Sequence, residues 1–189
     1  MKRQNRLNRF VLSLLFFAMV NMASAQKASI GSFNNILPAN RRYAPVLDSS
    51  INVAALSLAA RNQLIEKLYE VDQLYRVSLH RSGLVQGSAE EKKYINLIMI
   101  NDPVNQTLLL KILNVDGWPC DLKRGAESLS YKAWFIVWHD RGSYEGMSRF
   151  YPYLVKANAS KCISASQFKE VSDVLSQVRA FRKGFPSAH

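Results

Sequence analysis

Hydrophobic positions in this chain recur at helical spacing, and no alternating stretch is long enough to demand a sheet. Leu64, Leu68, Val71, Tyr75 and Leu79 are spaced by four, three, four and four residues, which puts them on one face of a helix. That helix is expected over Ala54 to His80. Gly83 and Gly87 punctuate the break from Ser82 to Ser88. Ser88 and Glu91 then stand at capping-box spacing, and a helix is expected from Ala89 to about Ile100. Asp102-Pro103 reads as a restart, with Asp as the N-cap and Pro at the first helical position. The new helix is expected to run to about Val115 and to end near Gly117.

Trp118-Pro119-Cys120 opens a connection to about Glu127. Ser128 to His139 follows, apolar all round at Ala133-Trp134-Phe135-Ile136-Val137-Trp138, as in a helix covered by neighbours on every side. It is too short to cross a membrane. A helix over Ser143 to Asn158 carries Pro152 as an expected kink or break, and Ser164 caps a last helix from Ala165 to Lys183. The expected fold is all-α, an irregular or orthogonal bundle of five to six helices over residues 53–183, with a tail at 184–189.

One apolar run has a different character. Phe10 to Val20 is broken only by Ser13, follows a basic segment from Met1 to Arg9, and precedes Ala23-Ser24-Ala25. Those are the three parts of a cleavable secretory signal at residues 1–25, with cleavage expected between Ala25 and Gln26. Asn21 ends the run short of the roughly 20 apolar residues that a spanning helix needs. No cysteine stands at the cleavage site, which argues against a lipoprotein. Residues 26–52, with Gly31, Pro38, Pro45 and several Asn, read as a flexible arm. The expected location is periplasmic or secreted, in a bacterium, with no transmembrane segment after cleavage.

Charge and cysteines sharpen this picture. The formal net charge is +11, and four uncompensated basic residues (Lys2, Arg3, Arg6, Arg9) lie in the signal. The mature chain is therefore strongly basic. Outside the cytoplasm such a surface meets an anionic envelope component or an acidic protein partner. Nucleic acid is not expected, because no basic-aromatic recognition motif accompanies the charge. Cys120 and Cys162 are an even pair in an oxidising compartment, so a disulfide is expected, with two unrelated thiols as the alternative. Three scattered histidines give no metal-ligand spacing, and neither metal nor cofactor is expected.

A few polar residues do not suit a plain helical core. Asp72 projects from the face of Ile65, Leu68, Tyr75 and Leu79, where an unpaired carboxylate costs several kcal/mol. Arg76, one turn on, is its natural partner, and Gln73 sits beside them. The pair reads as a satisfied ion pair fixing helix register, or as part of a ligand pocket. Asn105 shares its face with Leu108, Leu109 and Ile112 and poses the same choice. Asp102 is more simply a cap. His139, at the end of the apolar helix, is either a helix-terminal residue or an acid–base group. Trp134 and Trp138 read as core ridges. Gly-x-Ser-x-Gly, His-Glu-x-x-His and phosphate-loop motifs are missing. The glycosylation triplets at Asn105 and Asn158 are weak signals.

The ordered set Asp72-Gln73-x-x-Arg76, Asp102-x-x-Asn105, Gly117-Trp118-Pro119, Ala133-Trp134 and His139 resembles the bacterial family called domain of unknown function 6624, over about Ala54 to Asp173. The chain departs from the family where Trp138-His139-Asp140 replaces Gln-His-Ala. It keeps only part of the family's closing Asp-Arg in Ser172-Asp173-Val174, and its tail lacks the Tyr-Gly-Thr-Gln-like segment. The resemblance carries no activity. It implies that Asp72, Arg76, Asn105 and His139 converge, with Gln73, Asp102 and Trp118 as further ligand-binding candidates. Two functions follow from the sequence: a monomeric, non-catalytic binding or interaction module of the envelope, or a small hydrolase-like or lyase-like enzyme. In the second, His139 is the base, Asp72 its orienter and Arg76 an anion clamp.

Overall fold

The computed structural model describes residues 44–184, apart from 82, 122 and 124; the expected signal segment and most of the arm lie outside them. Five α-helices follow one another among the described residues: α1 (Leu58–Arg81), α2 (Ala89–Asp116), α3 (Leu129–Trp138), α4 (Tyr144–Ala159) and α5 (Ala165–Gly184). Short 3-10 turns occupy Val53–Ala55 and Gly125–Glu127. The fold is an all-α bundle with no strand among the described residues, and none of its helices is long and apolar enough to cross a membrane.

The helix ends follow from the residues that cap them. Ser88 Oγ accepts the Glu91 amide at 3.1 Å, while the Glu91 carboxylate reaches back to the Gly87 amide, one residue earlier than in the standard box. Ser164 and Gln167 make the reciprocal pair at the start of α5, at 3.1 and 2.9 Å. Ser128 and Ser143 cap α3 and α4. Gly117 closes α2 with φ +77°, a conformation that an L side chain resists, and its amide bonds Leu113 O at 2.9 Å.

Three sequence expectations fail here in whole or in part. The restart at Asp102-Pro103 does not occur, and α2 runs unbroken from Ala89 to Asp116. Pro103 is exposed and Met99, whose carbonyl loses its helical donor, is 66% exposed, so both lie on the solvent face of α2. Pro152 likewise sits inside α4 without ending it. The first helix also starts later than Ala54: Ser57 accepts the Ala60 amide at 3.2 Å, and α1 begins at Leu58.

Cross-contacts give the directions of the helices. Arg61 meets Asp116 and Arg76 meets Asp102, so α1 and α2 run antiparallel. Lys132 pairs with Glu66 and His139 with Asp72, so α3 runs parallel to α1. The core between them holds Ile65, Leu68, Leu108, Leu109, Ile112 and Ile136, and α4 and α5 close it with Phe150, Leu154 and Val171. Val46 donates its amide to Asn101 Oδ1 at 2.8 Å, and Lys111 Nζ holds Ser49 O at 2.7 Å, so the segment before α1 is tied along α2.

The Cys120–Cys162 disulfide links the connection after α2 to the turn between α4 and α5, with Cα atoms 5.0 Å apart. Beside it Trp118 Nε1 donates to Ser130 Oγ at 2.8 Å, and Ser130 Oγ donates to Cys162 O at 2.6 Å. The bond closes a loop of 42 residues in the unfolded chain, which is about 4 kcal/mol on the chain-entropy account. Replacing both cysteines by serine should lower the melting temperature by about 10 °C or more, measured by circular dichroism. An unchanged melting curve would leave the bridge without that role.

Candidate functional site

The polar residues of α1, α2 and α3 meet where the three helices face one another. Asp72, 2% exposed, receives three donors: Gln73 Nε2 at 2.7 Å, Arg76 Nη1 at 3.1 Å and His139 Nδ1 at 2.8 Å. A carboxylate can only accept, so His139 presents Nδ1–H to it and leaves Nε2 as the lone-pair nitrogen. The edge of the His139 ring meets Phe135, one turn back in α3, with centroids 4.7 Å apart and planes at 85°. His139 therefore sits in one orientation, set by a carboxylate on one side and an aromatic ring on the other.

Arg76 has a second carboxylate. Its Nη1 and Nη2 reach Asp102 Oδ1 and Oδ2 at 2.9 and 2.5 Å, a bidentate pair, and Nη1 also donates to Asp72 O at 3.0 Å. Asp102 is thus an ion-pair partner across helices, not the cap the sequence suggests. The reason lies in the unbroken α2: with no helix start at Pro103 there are no free amides for Asp102 to cap, and its side chain turns to the cation opposite. Arg76, shared between two carboxylates, is also poorly placed as an anion clamp. Burial raises the Asp102 carboxyl above its ordinary value, and the Arg76 guanidinium acts the other way. Asp72 keeps 1% of its side-chain surface, whereas His139, Arg76 and Asp102 keep 11%, 16% and 19%, so the cluster touches solvent from their side.

Close to these residues along the helices are others whose buried polar atoms have no partner among the described residues. Asn105 is 1% exposed, and neither its amide nitrogen nor its amide oxygen has a partner. It follows Asp102 by one turn of α2; because α1 is antiparallel, that step runs from the level of Arg76 to the level of Asp72. Tyr75 OH, one turn from Asp72, is buried without a partner. Asp140 Oδ2 is buried and unpartnered too. Burial pushes the Asp140 carboxyl up to about 6; Arg149 opposes the shift and the charge of Asp102 adds to it. Nothing in the sequence singles out Tyr75, or Asp140 beyond its place next to His139. The signal for Asp140 is spatial: a Cβ on Gly146 would stand 1.7 Å from its Oδ2, so the carboxyl lies directly on the α4 backbone.

Of the sequence candidates, Asp72, Gln73, Arg76, Asp102 and His139 are joined by direct contacts, and Asn105 lies beside them by helical register. Trp118 belongs elsewhere, at the Ser130–Cys162 corner. The triplet at Asn105 is buried in α2, out of reach of a glycosyl donor. The described residues contain no group of His, Cys, Asp and Glu able to hold a metal ion. Comparison of the chain with family models, with curated proteins and with solved structures finds no match.

Two predictions follow from this geometry. Arg76→Met strands two carboxylates and should cost about 3 to 5 kcal/mol in urea denaturation; Asp72→Ala should cost less, since Arg76 keeps Asp102. Combining Asp72→Leu with Arg76→Met should recover only part of the loss, and adding Asp102→Leu most of it. Equal effects of the two single changes would show that the carboxylates do not share Arg76.

The second prediction concerns pH. A carboxyl whose folded pKa is raised stabilises the fold fully below its unfolded value near 3.8, and that contribution is lost as pH rises through about 6. Asp140→Asn should therefore match wild type in melting temperature near pH 4 and exceed it at pH 7.5. A variant less stable at pH 7.5 would mean that the Asp140 anion is held favourably by Arg149.

Proposed function

We propose that this chain is an exported binding module of the bacterial envelope that takes a small polar ligand at the Asp72–Arg76–Asp102–His139 cluster. One observation carries the reading. The buried side-chain polar atoms that lack a partner among the described residues belong to Tyr75, Asn105 and Asp140, and each of these residues stands next to a member of that cluster in sequence or one helical turn from it. Unsatisfied buried groups cost about 1 to 3 kcal/mol each. A core designed for stability alone would replace them with apolar residues, or scatter them. On residues that adjoin one polar cluster along the chain, they fit a site completed by something from outside. The export signal, the disulfide and the basic net charge support an envelope location. The motif residues Asp72, Gln73, Arg76, Asp102 and His139 form one contact network.

A second reading rests on the 2.8 Å contact between His139 Nδ1 and Asp72. A buried carboxylate that orients a histidine leaves Nε2 as a base, so the bound molecule would meet acid–base chemistry of a hydrolase-like or lyase-like kind. In that enzyme Asp72 orients His139, and Arg76 holds Asp72 in place.

The test uses Asn105→Leu. Removing an unsatisfied buried amide in favour of an apolar group of similar size should leave the melting temperature equal to wild type or a few degrees higher. Mature wild-type protein incubated with a small-molecule envelope extract and then desalted should carry a species, seen by mass spectrometry, that the variant lacks. A destabilised variant with no difference in bound species would sink the binding site. Conversion of that species over time, abolished by His139→Asn, would favour the enzymatic reading.

A further inference from the structure

The chemistry around Asn105 restricts what the site can take. We infer that its ligand is uncharged and presents an amide or lactam edge, a hydrogen-bond donor beside an acceptor, to the Asn105 side chain. The inference rests on the reading of this cluster as a binding site and adds the class of ligand.

Three features carry it. First, Asn105 offers an amide nitrogen and an amide oxygen side by side, both buried and both without a partner among the described residues, so a ligand that engages both needs an acceptor and a donor held in the same plane. A carboxamide, a lactam or the edge of a nucleobase has that arrangement; an ether, a hydroxyl or a carboxylate does not. Second, an anion is opposed. It would approach Asp72, Asp102 and Asp140, and the guanidinium of Arg76 is already shared by the first two. Third, a cation finds no free carboxylate within the ion-pair knot itself. The Asp72 carboxylate holds three donors, and both oxygens of Asp102 are taken by Arg76. A charged ligand buried here would have to break an ion pair, whereas a neutral one leaves the knot intact.

The two other unpartnered atoms fit the same class. Tyr75 OH has both a hydrogen to give and lone pairs to offer, and Asp140 Oδ2 lies close enough to the cluster to feel the charge of Asp102. Either can complete a remaining hydrogen bond of an amide edge.

The experiment is a nuclear magnetic resonance titration of the mature protein, labelled with nitrogen-15, following the Asn105 side-chain amide. Four probes are added separately: acetamide, 2-pyrrolidinone, acetate and methylammonium. The amide and lactam probes should shift that resonance saturably, between about 1 and 100 mM, as suits molecules of so few atoms. Asn105→Leu, followed through the backbone amides of Asp102 and Gln106, should weaken them at least tenfold. Acetate and methylammonium should give no saturable shift at Asn105. Stronger response to acetamide than to the ring compound would assign a chain carboxamide, and the reverse a lactam or base edge; both support the class. Saturation by acetate or methylammonium at Asn105 would overturn the class while leaving the binding site standing. No saturable shift from any probe, with bridging water alone on Asn105, would overturn the class as well. The envelope-extract experiment then judges the site separately.

Discussion

The arrangement depends on one guanidinium. Arg76 stands in α1 with a carboxylate of its own helix one turn back and a carboxylate of α2 facing it, and through Asp72 its charge reaches His139 at the end of α3. Three helices therefore share a single cation. Hydrophobic contacts between helices tolerate sliding, because one apolar ridge fits a groove about as well as the next. A buried ion pair does not, since a displacement of one turn leaves a bare charge in a place water cannot reach. In this bundle the apolar stripe sets how strongly the helices associate, and the Arg76 knot sets where along their length they do so.

That division explains why parts of the fold are legible in the sequence. The stripe from Leu64 to Leu79 and the serines ahead of α2, α3, α4 and α5 are local signals, and each marks an element that forms. The burial of Asp72 and its tie to Arg76 are also local, because both lie on one helix four residues apart. Where the sequence misleads, the deciding contact is distant. Asp102-Pro103 has the chemistry of a helix start, and nothing nearby reveals that Arg76, 26 residues earlier, competes for the carboxylate. Proline is tolerated there because its face of α2 is wet.

The same limit applies to the candidate site. Asp72, Arg76, Asn105 and His139 stand out in the sequence because each is polar where the pattern is apolar. Tyr75 does not, since a tyrosine on an apolar stripe looks like core. Asp140 does not either, because it sits in a turn where an aspartate is commonplace. Both become informative only when neighbours from other helices close over them. Trp118 errs in the opposite direction: a tryptophan before a proline draws the eye, yet its indole serves the corner built on Ser130 and the disulfide.

The contact between Asp140 and Gly146 binds two positions in what they can become. Gly146 lies within α4 and is not needed there for an unusual backbone angle. It is needed for room, because any side chain would begin where the Asp140 carboxyl already is. A drift from glycine to alanine would leave the helix able to form, and improve its intrinsic propensity, but would evict the carboxyl from its place beside the cluster. Among descendants of this sequence, then, an alanine at 146 should travel with a smaller or shorter residue at 140. Lineages that keep the acid should keep the glycine.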